Sequence, residues 1–135
     1  MGEQRLAKAI ALLMHEYIEH MRTIDAITFI PNRKRALLKR GFDHMKLIAY
    51  ALSELMDVPV AQILIANETK DQRLLNRMQR QANAQHMFDA TEDISYKHIL
   101  LIDDVFTTGA TLQHGQTCLF EHGAKKVTCL TLMRS

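Results

Sequence analysis

Two adjacent carboxylates, Asp103 and Asp104, lie between the apolar run Ile99–Ile102 and a segment rich in Thr and Gly. That segment consists of Thr107, Thr108, Gly109, Ala110 and Thr111. Its small residues let backbone N–H groups approach an anion, and a helix beginning there adds free N–H donors and a partial positive charge. Carboxylates would repel a phosphate, but they suit the hydroxyl groups of a ribose or the water shell of Mg²⁺. The pattern therefore predicts a phosphate site beside a pair of acids that bind hydroxyl groups.

The segment is not one of the common nucleotide-binding loops. The GxxxxGK[ST] loop of nucleotide triphosphatases and the GxGxxG dinucleotide fingerprint are both absent from the sequence. A strand that ends in a solvated acidic turn, followed by a helix capped by Thr, would also produce two acids before a Thr-rich stretch. The length of the combined pattern favours phosphate binding over that simpler structure.

The elements around the acids form a strand–helix–strand unit. The apolar run Ile99–Ile102 is typical of a strand buried on both faces, and we expect a connecting turn over 103–109. A helix over 110–122 is predicted to end at Gly123, and Gly115 within it indicates close packing. A strand over 126–133 completes a parallel βαβ unit, and Cys118 and Cys129 both fall in elements expected to be buried.

The first half of the chain also alternates helices and strands. A helix over 3–22 and a helix over 43–56 are predicted, with strands over 25–30 and 60–65 and a polar arm over 67–85. The apolar face of the first helix is expected to be Leu6, Ile10, Leu13, Tyr17 and Met21, and that of the second Met45, Ile48, Ala49, Leu52 and Leu55. The sequence thus predicts a three-layer α/β fold with a central, mostly parallel sheet.

Composition limits the class of protein. The chain has 135 residues, which predicts one domain over 1–135, and its net charge of +2 argues against a strongly basic nucleic-acid coat. Two cysteines without a CxxC pair argue against a disulfide framework and suit the reducing cytoplasm, where we expect the protein. The longest apolar run, 9–14, is too short for insertion into a membrane.

Two basic segments are further candidates for binding anions. Arg33, Lys34 and Arg35 follow the first predicted strand, and Arg73, Arg77 and Arg80 are spaced so that a helix would align them. Arginine binds phosphate groups with two parallel hydrogen bonds. Taken alone, the first segment is more typical of a solvated basic loop, and an exposed helix explains the second as well as a binding loop does. Both segments could also follow a nucleic-acid backbone, although three Tyr, five Phe and no Trp offer little for base stacking.

The sequence around the acids resembles that of a known superfamily. The string ILLIDDVFTTGATL is similar to the phosphoribosyl-pyrophosphate (PRPP) signature of the type I phosphoribosyltransferases. The resemblance implies that Thr107, Thr108, Gly109, Ala110 and Thr111 hold the 5-phosphate of PRPP. It also implies that Asp103 and Asp104 are the catalytic acids, which contact the ribose hydroxyls and bind Mg²⁺ through water.

Two further segments resemble the ComF family within that superfamily. Arg40-Gly41-Phe42-Asp43 is similar to the family's RGFN, with Asp in place of Asn. The pattern Q-x2-L-x4-R-x2-N-x4-F is matched by Gln72, Leu75, Arg80, Asn83 and Phe88. Pro31-Asn32-Arg33 departs from the family's P-x-P, and the zinc module with which members commonly begin is not present.

The resemblance implies a function for the basic segments and for the whole chain. Arg33, Lys34 and Arg35 are expected to bind pyrophosphate, and Arg73, Arg77 and Arg80 to belong to a mobile loop that closes over PRPP. Residues 1–24 would form an N-terminal helix and part of a hood over the acceptor. The expected function is transfer of the phosphoribosyl group to a nitrogen acceptor, in competence and DNA uptake or in nucleotide metabolism.

A binding module without catalytic activity is the alternative to the enzyme. The domain could sense PRPP without turnover, or bind single-stranded DNA in the transformation machinery. The expected protein partners are a second copy of the chain, forming a homo-oligomer, or other competence proteins.

Overall fold

The computed structural model describes residues 2–19, 21, 23–31, 44–66, 88–91, 93–106 and 110–134. Its helices and strands occur in the order α1 (Gly2–Ile18), β1 (Ala26–Phe29), α2 (His44–Met56), β2 (Leu64–Ala66), β3 (Phe88–Ala90), β4 (His98–Phe106), α3 (Ala110–Glu121) and β5 (Lys126–Arg134).

A parallel sheet forms the centre of the fold. Its strands lie in the order β1-β4-β5, with Phe29 beside Ile102 and Leu101 beside Cys129. A second, two-stranded sheet pairs β2 with β3 in antiparallel orientation. The parallel arrangement of β1, β4 and β5 confirms the predicted α/β class.

The central strand β4 separates two apolar layers. Residues Ile99 to Ile102 are 0% exposed, as expected for a strand covered on both faces. Leu100 and Ile102 pack in one cluster with α1 and α2, whereas Ile99 and Leu101 pack in another with α3. Helices therefore cover both faces of the sheet, which confirms the three layers.

Helix α1 forms as predicted but buries a different face. Its buried residues are Ala7, Ala11, Met14 and Ile18. The predicted face was wrong for three of its residues: Leu6 is 54% exposed, Leu13 54% and Tyr17 73%. The alanines explain the difference, because their small side chains let the helix approach its neighbours closely. Periodicity of large apolar residues favours the wrong face in such a helix.

Two strand boundaries differ from the sequence prediction. The strand expected over 60–65 is reduced to a single parallel bridge between Ile27 and Val60, after which the chain leaves β1 and forms β2 against β3. The turn expected over 103–109 begins later, because β4 continues to Phe106. Strand β5 runs alongside to Arg134 and holds this part of β4 extended.

Two glycines of the α3 region have the roles expected of them. Gly123 has a φ of 121°, and its N–H and that of Ala124 donate to the carbonyls of Phe120 and Leu119. These two bonds form a Schellman motif, which ends the helix. At Gly115 a Cβ atom would lie 2.9 Å from Ile30 Cδ1, so α3 packs closely on the sheet.

The two cysteines differ in their environment. Cys118 is buried in α3, as predicted, and burial is the largest cause that raises the pKa of its thiol to about 11. Cys129 is exposed, so the expectation of a buried thiol was wrong there. It lies on β5, which has a strand neighbour on one side only among the described residues.

Candidate functional site

The carboxyl ends of β1 and β4 lie side by side. Phe29 is in register with Ile102, and the Ile30 N–H donates to the Ile102 carbonyl over 3.1 Å. Pro31, which begins the segment that leads to the basic residues, therefore leaves the sheet next to Asp103. Because ligands in open α/β sheets bind outside the carboxyl ends of the strands, this edge is the candidate site.

Asp103 lies within β4 at this edge. It is only 9% exposed and is in register with Thr131 of β5. Alternate residues of a strand share a face, so Asp103 belongs with Ile99 and Leu101 to the face that α3 covers. The structure thus places one carboxylate within the paired strand β4 rather than in the connection that follows it.

Helix α3 starts at the same edge. Ala110 is its first residue, and Thr111 in its first turn is partly buried. The chain passes from Phe106 at the end of β4 to Ala110 through three residues only. The N-terminus of α3, where free N–H groups favour an anion, is therefore close to the end of the strand that carries Asp103.

Most other predicted site residues fall outside the part of the chain that the structure describes. The backbone of Asp104 belongs to β4, but its side chain lies outside the described part. For other predicted site residues, both the backbone and the side chain lie outside the described part. These residues are Thr107, Thr108, Gly109, Arg33, Lys34, Arg35, Arg73, Arg77, Arg80 and the segment Arg40-Gly41-Phe42-Asp43. Their roles stay predictions.

The side chains that the structure describes offer few ligands for a metal ion. Among them, no three His, Cys, Asp or Glu residues cluster as a metal site would require. Mg²⁺ is commonly held by one or two carboxylates together with water and substrate phosphates. The single carboxylate of Asp103 at the strand end fits that kind of indirect site.

A buried histidine at the opposite edge was not singled out from the sequence. His98, at the amino end of β4, is 4% exposed. Its Nδ1 is 2.8 Å from Thr23 Oγ1 and its Nε2 is 2.7 Å from Thr128 Oγ1. Burial is the largest cause that lowers the pKa of His98, the Lys126 charge lowers it further, and the Asp25 charge opposes both.

Asp25 completes this polar group, which we call the amino-end network and define as Thr23, Asp25, His98 and Thr128. Asp25 Oδ2 accepts hydrogen bonds from the Lys97 N–H over 3.1 Å and from the His98 N–H over 2.9 Å. The signal in the sequence was polar residues directly before the apolar runs of β1 and β4. The network lies at the edge of the sheet away from the candidate site.

Within the described ranges, the helices are too short or too polar to cross a lipid bilayer.

Comparison with known proteins identifies the family. The model of the phosphoribosyl transferase domain matches residues 4–135. The chain is 35% identical to competence protein ComFC of Bacillus subtilis over 108 residues, 78% of this chain and 43% of that protein. It is 24% identical to competence protein F of Haemophilus influenzae, over 98% of this chain and 61% of that protein. The chain thus spans about half the length of these relatives.

A solved structure shares the fold. Glutamine PRPP amidotransferase from Bacillus subtilis, complexed with ADP and GMP, superposes with a TM-score of 0.62 at 20% identity, covering 96% of this chain and 26% of that one. The parallel sheet, its two helical layers and the family match lead to one conclusion: the chain belongs to the phosphoribosyl transferase domain family, as a ComF-like protein with the type I phosphoribosyltransferase fold.

Proposed function

We propose that the carboxyl edge of the sheet binds PRPP together with Mg²⁺, with residues 1–135 acting as one domain. The proposed reaction transfers the phosphoribosyl group to a nitrogen nucleophile and releases pyrophosphate. The observation that carries the proposal is the Ile30–Ile102 hydrogen bond between the ends of β1 and β4. It brings Pro31, the last described residue before the basic segment, close to Asp103, and α3 begins at the same edge.

In this proposal, different residues of the chain bind different groups of the substrate. The N–H groups and hydroxyls of 107–111 hold the 5-phosphate, because a helix start offers unpaired donors and a favourable dipole. Asp103 and Asp104 accept hydrogen bonds from the ribose hydroxyls and orient water around Mg²⁺. When bound, that ion neutralises part of the pyrophosphate charge.

The reaction then breaks the bond between ribose C1 and the pyrophosphate oxygen and forms a bond between C1 and nitrogen, which gives up a proton. Arg33, Lys34 and Arg35 stabilise the negative charge that grows on the pyrophosphate. Arg73, Arg77 and Arg80 close over the site and exclude water from the cationic ribose. Most of the rate enhancement comes from positioning and electrostatics.

The N-terminal helix has a proposed place in this site. Helix α1 ends at Ile18, and a short link joins it to the amino end of β1. Its first turn is therefore at the end of α1 that is far from that link. The hood that we propose for 1–24 would be formed by this first turn.

A role in competence and DNA uptake is proposed from the relatives that carry the name of competence proteins. The same names favour a second candidate, a module that senses PRPP or binds single-stranded DNA without catalysis. In that case the basic segments would follow the DNA backbone. Cytoplasmic location suits either function.

Calorimetric titration with PRPP tests the enzyme proposal. We expect saturable binding in the presence of Mg²⁺ and a large loss of affinity when EDTA is added. Pyrophosphate release in the presence of ammonia or an amine would then show turnover. The absence of saturable binding at concentrations of about 1 mM, the upper end of typical KM values, would contradict the proposal.

The salt dependence of oligonucleotide binding distinguishes the second candidate, a DNA-binding module, from the enzyme. Binding of a single-stranded oligonucleotide would weaken steeply between low and high salt, because phosphate contacts release counterions. It would also be indifferent to Asp103→Asn. Oligonucleotide binding with this salt dependence, in a protein that binds no PRPP, would support the DNA-binding module instead of the enzyme.

A further inference from the structure

Helix α1 carries a second apolar face that is exposed except at Ile10, which packs in part against the core. Leu6 and Leu13 are each 54% exposed and Tyr17 is 73% exposed, with the partly buried Ile10 between them. We call Leu6, Ile10, Leu13 and Tyr17 the exposed stripe. It lies beside the buried face formed by Ala7, Ala11, Met14 and Ile18.

The spacing of the exposed stripe is that of a helix-pairing seam. Its members are separated by four, three and four residues, which is the a/d pattern of a heptad repeat. The stripe itself contains no charged side chain. Such spacing keeps one side of a helix turned towards a partner helix, whereas the buried face of α1 is already occupied by α2 and the sheet.

We propose that the exposed stripe of α1 pairs with the same stripe of a second copy of the chain, with the two helices antiparallel. A two-fold axis between Ile10 and Leu13 sets this register. Leu6 of each copy then lies level with Tyr17 of the other, and Ile10 lies level with Leu13. Each large side chain thus meets an apolar partner, which is the self-complementarity that a two-fold interface requires.

Charged residues next to the exposed stripe favour a second copy of the chain as its binding partner. Arg5 and Glu16 are both exposed and are eleven residues apart, about three helical turns, so they lie on one flank of the stripe. In the antiparallel register, Arg5 of one copy is offset from Glu16 of the other by two residues, roughly 3 Å along the axis. The pairing therefore brings opposite charges together twice.

The size of the surface indicates how strong the association is. From their exposed fractions, the side chains of the stripe offer on the order of 400 Å² of apolar surface per copy, about half of a standard interface. The dimer is therefore expected to be weak, with a dissociation constant on the order of 0.1 mM, and to form in a concentration-dependent manner.

Leu12 and Leu13 provide a matched pair of variants. They are neighbours in the same helix and are equally exposed at 54%, but Leu12 lies off the stripe. Sedimentation equilibrium from about 0.01 to about 1 mM brackets the expected dissociation constant. We expect a monomer–dimer equilibrium for the native chain and for Leu12→Glu, and a monomer throughout for Leu13→Glu.

A charge exchange tests the antiparallel register. Arg5→Glu and Glu16→Arg should each weaken the dimer several-fold, because each puts like charges next to one another, and the double variant should restore it. Circular dichroism and thermal unfolding of every variant would show whether α1 remains folded.

Two results would overturn the proposal. One is a native chain that remains monomeric at ~1 mM, well above the dissociation constant expected for so small an interface, which would leave the stripe to a different protein or chain segment. The other is a dimer that Leu13→Glu leaves intact while α1 stays helical. Calorimetric titration with PRPP tests the proposed function separately, so a failure of this dimer and a failure of PRPP binding can be told apart.

Discussion

The two ends of β4 both place a nearly buried ionisable side chain at the border of the core, but they use it differently. At the amino end, His98 is held on both ring nitrogens by threonine hydroxyls, and Asp25 accepts two backbone N–H groups. At the carboxyl end, Asp103 is 9% exposed beside the departure point of a basic segment and the start of α3.

Under the proposed function, this difference means that one strand contributes to stability at one end and to ligand binding at the other. The amino-end network bonds its groups to the protein itself, so its contribution is to folding. At the carboxyl end, the strands continue into connections that leave the sheet. Open α/β folds bind ligands outside these strand ends. Changes at the amino end should therefore alter stability alone, and changes at the carboxyl end should alter ligand affinity.

The largest expected loss of stability is at Gly123, in the turn at the amino end. A Cβ atom there would lie 2.7 Å from the Ile94 carbonyl oxygen, and a φ of 121° is strained for any other residue. We expect Gly123→Ala to lower the free energy of unfolding by about 3 kcal/mol. Urea unfolding measures this loss, and Gly2→Ala is the control, since nothing lies within 4 Å of a Cβ there. A loss well below 1 kcal/mol would mean that this turn does not fix the amino end.

The next effect concerns ligand affinity at the carboxyl end. Asp103→Asn keeps the shape of the side chain but removes the charge, so charge-assisted bonds to the ribose hydroxyls are lost. We expect PRPP to bind about 100-fold more weakly, about 2.7 kcal/mol, by calorimetry. Asp93→Asn removes the same charge from a side chain that is 99% exposed and should leave the affinity unchanged. Equal affinities for the native chain and Asp103→Asn would remove the distinction between the two ends.

Asp25→Ala is the counterpart at the amino end. It deprives the N–H groups of Lys97 and His98 of their acceptor. Because Asp25 is itself exposed, water can replace part of this bonding, and we expect a loss of about 1–2 kcal/mol in urea unfolding. PRPP affinity should not change. If Asp25→Ala weakened PRPP binding as strongly as Asp103→Asn, the two ends would have to be coupled through the sheet.

The smallest effect is a dependence of stability on pH. Burial lowers the pKa of His98 below the ordinary value of 6.5, so in that range the unfolded chain binds more protons than the folded one. Its contribution to stability is fully present above pH 6.5 and is lost as pH falls towards the folded pKa. The slope is at most about 1.4 kcal/mol per pH unit, the limit for one proton.

Urea unfolding between about pH 7.5 and about pH 5.5, a range that spans the ordinary histidine pKa, measures this slope, and His98→Gln should flatten it. NMR titration of the His98 ring gives the direction of the pKa shift independently. A ring that titrates above its ordinary value would reverse the expected sign.

The parallel sheet was accessible from the sequence because its signals are local. The uninterrupted run Ile99–Ile102 has no polar residue that could face water, so burial on both faces follows. Gly123 marks the end of α3 for a similar reason, since its conformation is one that few other residues adopt. At the carboxyl edge, the residue pattern alone predicts a phosphate site beside two acids. PRPP as the ligand and the roles of the basic segments came from the family resemblance.

Features that depend on distant partners were not predicted. The choice of Ala7 and Ala11 for the core depends on how closely α2 approaches, which periodicity does not report. The extension of β4 through Asp103 depends on pairing with β5. The bonds of His98 join residues 75 and 30 positions away, so its position before the apolar run of β4 did not identify its partners.

Gly115 has a consequence for the whole helical layer on its side of the sheet. It is the point where α3 rests on Ile30 and Leu101, the two side chains that flank it most closely. A Cβ atom there would contact the far ends of these two side chains, which would have to move for α3 to keep its distance from the sheet. The missing methyl group at this one position thus lets the helix lie against β4 without displacing either side chain.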